Sequence, residues 1–522
     1  MRKYNLLQHM NIFLYVIFAL LMFFVISNKQ NMHIDEILTY GLANYTTGWM
    51  APMEAETYTP ASSAWLEYVA VNRNNRFDYD MVWRNQAGDV HPPLYYAFVH
   101  TICSIFTGKF SIWFAGVINI FFALLTLWTV RRILYELTQS QQAVLFGSIL
   151  FILSAGILSA ASFFRMYVMA MFEVTFITLL FMQAALKGCS RKFYIAIIPA
   201  SVAGALTHYY FIIFLFFLSL IFGIYLLIKK NYKDTVLFIL FMLLSGRLST
   251  WIFPSMIKHM FLKEGYRGQQ SIENLKQTSI IEYIERLKTF YQFLNSQLFG
   301  GFLTYLLIAI TLFIIIGIAR KSILLKKERN ILWILTSFPC ICYFLFITKT
   351  AVMFESRYIS PIYAVVMVNA FSLLYIIIKK LVNKKYDKIV LCILLTIMTV
   401  NGWRICTWEY LFLDSAQLIK KAGQHRDENA IYIYDAGWET AISFFEASHY
   451  KSITFFHINN IQALQNSPCK NDSSLIVYIT NSCNIESILN NVMEICPALT
   501  GNEEMGTYGY ATSYYLYDPN LR

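Results

Sequence analysis

Five short clusters in this 522-residue chain carry charged or titratable residues, and four of them place these residues beside aromatic ones. A carboxylate in such a cluster can act as a general base, and an arginine can hold a phosphate through two parallel hydrogen bonds. The combination predicts proton transfer on a substrate that carries a phosphate. The clusters are His33-Ile34-Asp35-Glu36, Asp89-Val90-His91-Pro92-Pro93-Leu94-Tyr95-Tyr96, Phe164-Arg165-Met166-Tyr167, Thr207-His208-Tyr209-Tyr210 and Glu355-Ser356-Arg357-Tyr358.

The amino-acid composition indicates the class of protein that contains these clusters. The chain is 57% hydrophobic and only 14% charged, whereas a typical soluble domain carries about 25% charged residues. A large soluble enzyme and a disordered chain are therefore both excluded. The net charge of +11 does not predict nucleic acid as a partner, because we expect the basic residues to lie in short loops between membrane spans.

Apolar segments predict a polytopic α-helical membrane protein. A transmembrane helix needs about 20 mostly apolar residues. The stretch 93–107 is interpreted as a half-inserted or interfacial helix, because the basic loops then fall on one side of the membrane. About eleven predicted spans remain, and they are 11–27, 110–130, 143–162, 166–186, 193–207, 209–228, 235–257, 301–319, 330–347, 359–378 and 389–408.

The charges of the loops set the predicted orientation. Six segments on one side together hold 20 Lys and Arg residues against three acids. Loops rich in Lys and Arg stay in the cytoplasm, so we expect a cell-membrane protein with a cytoplasmic N-terminus and an extracytoplasmic C-terminus. All five clusters then lie outside. The six inner segments are 1–10, 131–142, 187–192, 229–233, 320–329 and 379–388.

The outer pieces of the chain are too long to be simple connections. Residues 1–409 are predicted to form the membrane domain, with long outer loops at 28–109 and 258–300. Within the second loop, 272–293 has the pattern of an amphipathic helix lying on the membrane. Residues 410–522 alternate short β-rich runs, at 430–434, 452–456 and 475–479, with helical patterns at 437–449 and 484–495. This pattern predicts a small extracytoplasmic α/β domain.

Each cluster also has a purely structural explanation when it is taken alone. Arg165 and Arg357 at helix ends can reach the lipid headgroups, and His208 can be a packed histidine. Asp89 and His91 can bind a metal ion, but two residues do not make a metal site, and none is expected. The clusters support a functional site because all five share the outer side of the membrane.

In this order, the motifs resemble those of the GT-C glycosyltransferases. They are most similar to bacterial relatives of the dolichyl-phosphate-mannose protein mannosyltransferases and of the lipid A aminoarabinose transferase. The resemblance covers about residues 10–375. It is carried by Asp35-Glu36, His91-Pro92-Pro93-Leu94-Tyr95-Tyr96, Arg165-Met166-Tyr167, Thr207-His208-Tyr209 and Arg357-Tyr358.

The resemblance implies an inverting enzyme that takes a sugar from a polyprenyl-phosphate donor. Asp35 would be the catalytic base or an acid that orients the acceptor, with Glu36 as its support. His91 stands where some relatives have a lysine that faces the donor phosphate, and Arg165 and Arg357 match further phosphate-binding positions. The remaining residues implied to contact the substrate are Asp89, Tyr96, Tyr167, His208, Tyr209 and Tyr358.

The same resemblance implies partners and cofactors. The acceptor would be an extracytoplasmic glycan, lipid or protein, and membrane lipids would surround the chain. No cofactor is implied. A divalent metal is possible but not expected, because Val90 stands where metal-binding relatives have an acid.

Two other functions remain open at the level of sequence. One is a transporter or flippase of lipid-linked sugars, although the internal repeats common in transporters are not visible. The other is a binding or assembly protein that has kept the scaffold and lost catalysis. The long outer loops and the presence of Asp35 favour the transferase.

Overall fold

The computed structural model describes residues 2–48, 56–261, 266–319 and 329–521, most of which are helical. Six helices of the described part precede the first long membrane helix; the first has 26 residues, and the other five are short and lie within the predicted outer loop 28–109. They are α1 (Arg2–Ser27), α2 (Ile34–Asn44), α3 (Ala61–Ala64), α4 (Leu66–Val69), α5 (Tyr79–Gly88) and α6 (Leu94–Ile105).

The helices that follow form the membrane bundle and its connections. They are α7 (Trp113–Thr138), α8 (Gln141–Ile152), α9 (Ala155–Ala161), α10 (Tyr167–Lys187), α11 (Arg191–Thr207), α12 (Tyr209–Ile228), α13 (Tyr232–Ile252), α14 (Ser255–Phe261), α15 (Tyr266–Gln277), α16 (Ile280–Phe299), α17 (Leu303–Ala319), α18 (Asn330–Thr350), α19 (Tyr363–Leu381) and α20 (Asp387–Ile405).

Seven helices in the described part of the chain are long and apolar enough to cross a membrane. They are α7, α10, α12, α13, α18, α20 and the segment Ser360–Leu381, which contains α19. The protein is therefore a multi-pass membrane protein. Helices long and apolar enough to be spans thus occur at seven of the predicted places, namely 110–130, 166–186, 209–228, 235–257, 330–347, 359–378 and 389–408.

The predicted count of eleven spans is not confirmed. Segments 143–162 and 301–319 belong to helix pairs that bend, by 55° between α8 and α9 and by 90° between α16 and α17, and the total reaches nine if each pair is one span. The apolar part of α1 that the structure describes, Ile12–Ser27, is short for a membrane span. Helix α11, with 17 residues, is also short for a span. Helix α6, within 93–107, has 12 residues and is shorter than a span requires.

The 90° bend after α16 depends on two glycines. Gly300 and Gly301 both have positive φ angles, of 56° and 85°, which residues with a Cβ adopt at a cost. A Cβ on Gly300 would lie 2.3 Å from the backbone oxygen of Met398 in α20. The glycines therefore allow both the turn and the close approach of α16 to α20.

The prediction of one continuous amphipathic helix over 272–293 is wrong. The chain breaks between α15 and α16, where the hydroxyl of Ser279 accepts a hydrogen bond from the Glu282 amide and begins a new helix. A serine at this position satisfies a backbone donor that the first turn of a helix leaves unpaired. The apolar face of α16 begins with Ile280 and Ile281, which are 79% and 77% exposed.

The C-terminal part contains the predicted small α/β domain, built on a six-stranded sheet. Its central strands β2, β3 and β4 are parallel, and β6 and β5 extend the sheet antiparallel as a hairpin that the sequence patterns missed. The sheet order is β1-β3-β2-β4-β6-β5. The elements are β1 (Thr59–Pro60), α21 (Ala416–Gln424), β2 (Asn429–Tyr434), α22 (Phe444–Ala447), β3 (Ser452–His457), β4 (Ser474–Thr480), α23 (Ile485–Ile495), β5 (Gly501–Tyr508) and β6 (Ala511–Tyr517).

The two faces of this sheet have different neighbours. Successive side chains of a strand point to opposite faces. Ile431 and Ile433 of β2 pack with the residues of α23, in a core of their own. Ala430 and Tyr432 point the other way and belong to the large core that continues through the membrane helices. The domain is thus packed directly onto the membrane bundle.

The prediction of a helix over 437–449 is only partly correct. Residues Gly437–Ala441 form a 3-10 turn, and only Phe444–Ala447 form a short α-helix. The prediction of a helix over 484–495 agrees with α23. The strand β1 comes from the segment between α2 and α3 and was not predicted, because two residues are too few for a period-2 pattern.

Candidate active site

A buried ion pair lies at the beginning of α2 and holds several segments together. The ammonium of Lys29 lies 3.0 Å from Oε2 of Glu36, and the side chains are 1% and 0% exposed. Lys29 also donates to the carbonyl oxygens of Ser162 and Tyr410. Burial lowers the pKa of Lys29 and raises the pKa of Glu36, and in each case the charge of the partner opposes the shift.

Glu36 also accepts hydrogen bonds from two backbone amides, one of which belongs to the N-cap residue of α2. Its Oε1 accepts from the amide of Phe164 at 2.7 Å, and its Oε2 accepts from the amide of His33, also at 2.7 Å. His33 in turn accepts from the amide of Asp35 through Nδ1. This is a capping box with a histidine as the cap. Glu36 therefore fixes the backbone that carries Asp35 to the loop that carries Arg165.

Asp35 lies between two arginines. Its Oδ2 is 2.5 Å from Nη1 of Arg357, and its backbone oxygen accepts from Nη1 of Arg165 at 3.1 Å. Burial alone would raise the pKa of Asp35, but the charges of Arg165 and Arg357 lower it well below its usual range. The carboxylate is therefore ionised, and its side chain is still 27% exposed.

Arg165 is buried and is held by four groups from three different segments. Its Nη1 donates to the carbonyl of Asp35, to Oγ1 of Thr39 at 2.9 Å and to the hydroxyl of Tyr96 at 3.1 Å. Its Nη2 donates to Nε2 of His91 at 3.3 Å. Its Nε is buried and has no hydrogen-bond acceptor among the described residues. One donor of this guanidinium is thus available to a ligand or to water.

His91 pairs with Asp89, the other acid of its cluster. The Nδ1 of His91 lies 3.0 Å from Oδ2 of Asp89. Because Nε2 accepts from Arg165, the proton of the neutral ring is on Nδ1, where it is donated to Asp89. Burial and the charge of Arg165 lower the pKa of His91, while Asp89 raises it. His91 is therefore a neutral support of Arg165 rather than a third cation.

Aromatic rings form one wall of the site. The ring of Tyr167 stacks on that of Phe163, with centroids 5.9 Å apart, and lies 5.3 Å from that of His208. The ring of His208 is 4.7 Å from that of Tyr210, and Tyr358 meets Tyr210 edge to face. His208 caps α12 by accepting from the Tyr210 amide, and burial keeps its pKa below the usual value.

The fifth cluster adds an acid beside Arg357. The Oε2 of Glu355 lies 2.5 Å from Nε of Arg357, and Glu355 is partly exposed. Ser356 donates to Oε1 of Glu409. The guanidinium of Arg357 also lies over the rings of Phe163 and Tyr358. Arg357 is thus clamped between two carboxylates and two rings.

Most of the predicted site residues lie in one connected set of contacts. It contains Asp35, Glu36, Asp89, His91, Tyr96, Arg165, Tyr167, His208, Arg357 and Tyr358. Tyr209 is engaged elsewhere: its hydroxyl is hydrogen-bonded to Nδ1 of His259 in α14. The described residues contain no group of three His, Cys, Asp or Glu side chains that could hold a metal ion.

Sequence reasoning missed Lys29 and Tyr410 as parts of this arrangement. Lys29 carried a signal, because a lone lysine after the first span, in an acid-rich outer loop, needs a partner. Tyr410 carried none. It lies beyond the region of resemblance, and its ring stacks on that of Phe163 with centroids 4.2 Å apart.

Neither the family models nor the curated proteins compared with the chain match it. Solved structures do resemble it. Over 97% of this chain and 97% of the other, the structure is similar to that of ArnT from Cupriavidus metallidurans bound to undecaprenyl phosphate, with 10% sequence identity and a TM-score of 0.53. The chain has a GT-C-type fold. The sequence prediction of this fold is therefore confirmed.

Two further structures resemble the chain more weakly. ArnT from Cupriavidus metallidurans in the apo state covers 91% of this chain and 95% of its own, with 10% identity and a TM-score of 0.45. The Archaeoglobus fulgidus oligosaccharyltransferase tethered with an acceptor peptide covers 96% of this chain and 73% of its own, with 11% identity and a TM-score of 0.47.

The Lys29–Glu36 pair of this GT-C-type fold gives a first prediction. Removing one partner of a buried ion pair costs about 3–5 kcal/mol, because the other charge stays buried. Lys29→Met and Glu36→Gln are each expected to lower the thermal midpoint in detergent micelles strongly, and the double variant is expected to be more stable than either. The exposed pair Glu285–Lys288, changed in the same way, is the control and should alter the midpoint little. Additive losses at Lys29 and Glu36 would contradict the coupling.

His33 gives a second prediction, on pH. Burial and the nearby cations lower the pKa of His33 to about 4 from its ordinary 6.5. Between these values the unfolded chain binds a proton that the folded chain does not, so stability falls as the pH falls from 6.5 to 4. His33→Asn keeps a capping acceptor and removes the proton. The unfolding free energy of this variant, plotted against pH, should have a smaller slope in that window. The difference in slope should correspond to at most one bound proton. An unchanged slope would show that His33 does not titrate in this way.

Proposed function

We propose that the protein is an inverting glycosyltransferase that moves a sugar from a polyprenyl-phosphate donor to an extracytoplasmic acceptor. The observation that carries the proposal is the ionised, partly exposed carboxylate of Asp35, which pairs with the buried Arg357 while the buried Arg165 bonds the backbone oxygen of the same residue. A base beside cationic groups suits displacement of a lipid phosphate from an anomeric carbon. The GT-C-type fold supports the proposal, since a protein of this fold has been crystallised with undecaprenyl phosphate.

Asp35 is the proposed base, and the donor itself would activate it. With both arginines beside it, Asp35 is a weak base, and an efficient general base has a pKa nearer the working pH. A donor phosphate that binds Arg357 and Arg165 neutralises part of their charge. The pKa of Asp35 then rises, and the carboxylate can take the proton of the acceptor hydroxyl as that oxygen attacks. The lipid phosphate leaves with the electron pair of the broken bond.

The arginines have distinct proposed roles. Arg357 pairs directly with Asp35 and so connects the phosphate to the base. Arg165 offers its unpaired Nε–H and is oriented by His91, which is neutral and is itself held by Asp89. Tyr167 and His208 line the same side and suit packing against a sugar ring. Tyr209, which is bonded to His259, acts on this proposal through α14 rather than by contact.

The proposed reaction uses no cofactor and no metal. The donor atoms of Asp89 and His91, the pair with the simplest metal-ligand spacing, are used on each other and on Arg165. The arginines supply the positive charge that a metal would otherwise bring to the phosphate.

The proposed site lies on the outer side of the cell membrane, with a cytoplasmic N-terminus. We propose that residues 1–409 form the catalytic domain and that 410–522 form an extracytoplasmic domain. The acceptor is proposed to be a hydroxyl or phosphate group of a glycan, a lipid or a protein.

Transfer by the purified protein tests the base. Wild type incubated with polyprenyl-phosphate sugars and extracted envelope acceptors is expected to release the lipid phosphate and glycosylate the acceptor. Asp35→Asn is expected to lower kcat by about 10²-fold or more, because the amide cannot take a proton. Asp80, an exposed acid of the same outer loop, provides the control: Asp80→Asn should keep full activity. Transfer that survives Asp35→Asn unchanged would exclude Asp35 as the base. Movement of the donor across vesicles without transfer would indicate a flippase instead.

The orientation is tested by labelling cysteines in intact cells with a membrane-impermeant maleimide. Lys276→Cys, in α15, should be labelled from outside. Gln141→Cys, in the first turn of α8, should be labelled only after the cells are opened. Labelling of Gln141→Cys from outside would mean that 93–107 crosses the membrane and that the proposed loop assignment is wrong.

A further inference from the structure

The segment that leads into Asp35 is hydrogen-bonded to the C-terminal part of the chain. The amide of Gln30 donates to the carbonyl of Leu411 at 2.8 Å. The hydroxyl of Tyr508, at the end of β5, donates to the carbonyl of Met32 at 2.7 Å. Residues 29–33, here called the lead-in segment, are thus bonded through their backbone to elements that follow the last span.

One contact to the lead-in segment uses a buried carboxylate. Asn31 donates through Nδ2 to Oε2 of Glu446, in α22, at 3.1 Å. Both side chains belong to residues with no exposed surface. The side-chain oxygen of Asn31 accepts from the amide of Met32, so the orientation of the Asn31 amide is fixed at both ends. Glu446 therefore determines where this turn of the lead-in segment lies.

Rings continue the contact toward the site. Phe412 stacks on the ring of His33, the cap of α2, with centroids 6.2 Å apart, and it meets the ring of Tyr508 edge to face at 5.8 Å. The ammonium of Lys29 lies over the same Phe412 ring, 4.8 Å from its centroid. The path from the sheet domain to the backbone of Asp35 is therefore continuous.

Ordinary domain packing does not require a carboxylate here. A buried carboxyl group is costly unless it is bonded, and an apolar side chain of similar size often packs as well or better. Within its own turn Glu446 interacts with Ser443 and with its own amide, but among the described residues its well-formed side-chain hydrogen bond runs outside that turn, to Asn31. The other nearly buried carboxylate of this part, Glu439, bonds within its own turn, because its Oε2 accepts from the amides of Asp435 and Ala436.

We propose that Glu446 is a positioning residue of the active site, through which the C-terminal domain sets the lead-in segment and so the place of Asp35 opposite Arg357. The inference rests on the proposed transferase function. Glu446 touches neither Asp35 nor the arginines in these contacts, so its effect is on turnover rather than on donor binding.

Three full-length variants test this role, with two readouts. Glu446→Leu removes the acceptor of Asn31, Glu446→Gln keeps an acceptor oxygen, and Glu439→Leu removes a buried carboxylate whose described side-chain hydrogen bonds lie within its own turn. The first readout is amide hydrogen exchange of residues 29–44. The second is kcat and KM for the polyprenyl-phosphate sugar.

Glu446→Leu is expected to speed exchange at 29–36 and to lower kcat about tenfold, as a small misplacement of a reacting group does, with KM within about twofold. Glu446→Gln should restore both values to near those of wild type. Glu439→Leu should leave exchange at 29–36 and kcat unchanged in the folded fraction.

Two results would overturn the proposal. One is exchange at 29–36 in Glu446→Leu equal to that of wild type; the other is a loss of kcat in Glu439→Leu as large as in Glu446→Leu. If Glu446→Leu does not fold, Asn31→Ala replaces it, with the same expectations. If wild type shows no transfer, the proposed function fails, while hydrogen exchange still decides whether Glu446 holds the lead-in segment.

Discussion

The site depends first on the buried pair of Lys29 and Glu36. A charged pair without water is tolerated only when its remaining hydrogen-bonding capacity is used. Here it is used on the backbone of three separate segments: the cap of α2, the loop around Phe164 and the connection at Tyr410. These segments carry or flank Asp35, Arg165 and the contacts of Arg357. The cost of burying two charges is thus offset by fixing the relative places of the groups that would react.

The electrostatic environment of Asp35 depends on that fixed geometry. The charges of two arginines keep Asp35 ionised, and the carboxylates of Asp35 and Glu355 in turn hold Arg357 in place. On the proposed mechanism, an anionic ligand would bind the same Arg357 guanidinium that pairs with the Asp35 carboxylate. That mechanism links donor binding to the activation of Asp35 through one set of charges and requires no large movement of the backbone.

The sequence predicted the fold class and most of the site because the signals were local. A long apolar helix can be predicted from its own residues alone. Each of the clusters around Asp35, His91, Arg165 and Arg357 is likewise contiguous in the chain. The bends escaped prediction because they depend on distant contacts, such as Gly300 against the backbone of α20. The hydrogen bond between Tyr209 and His259 escaped prediction for a similar reason, since His259 lies in another helix. Lys29 and Glu36 are close in sequence, so their ion pair is a local contact. Its role in joining segments could not be predicted, because it depends on the hydrogen bond from Lys29 to the carbonyl of the distant Tyr410.

The two-residue strand β1 has a consequence for how the sheet ends. An exposed edge strand can recruit a strand from another molecule, and β3 would be such an edge without β1, because its other side is taken by β2. Thr59 and Pro60 cover part of that edge, and a proline has no amide hydrogen with which to extend the ladder. The strand that shields β3 comes from the segment between α2 and α3, so the C-terminal sheet has this protection against intermolecular pairing only when it is assembled on its own membrane domain.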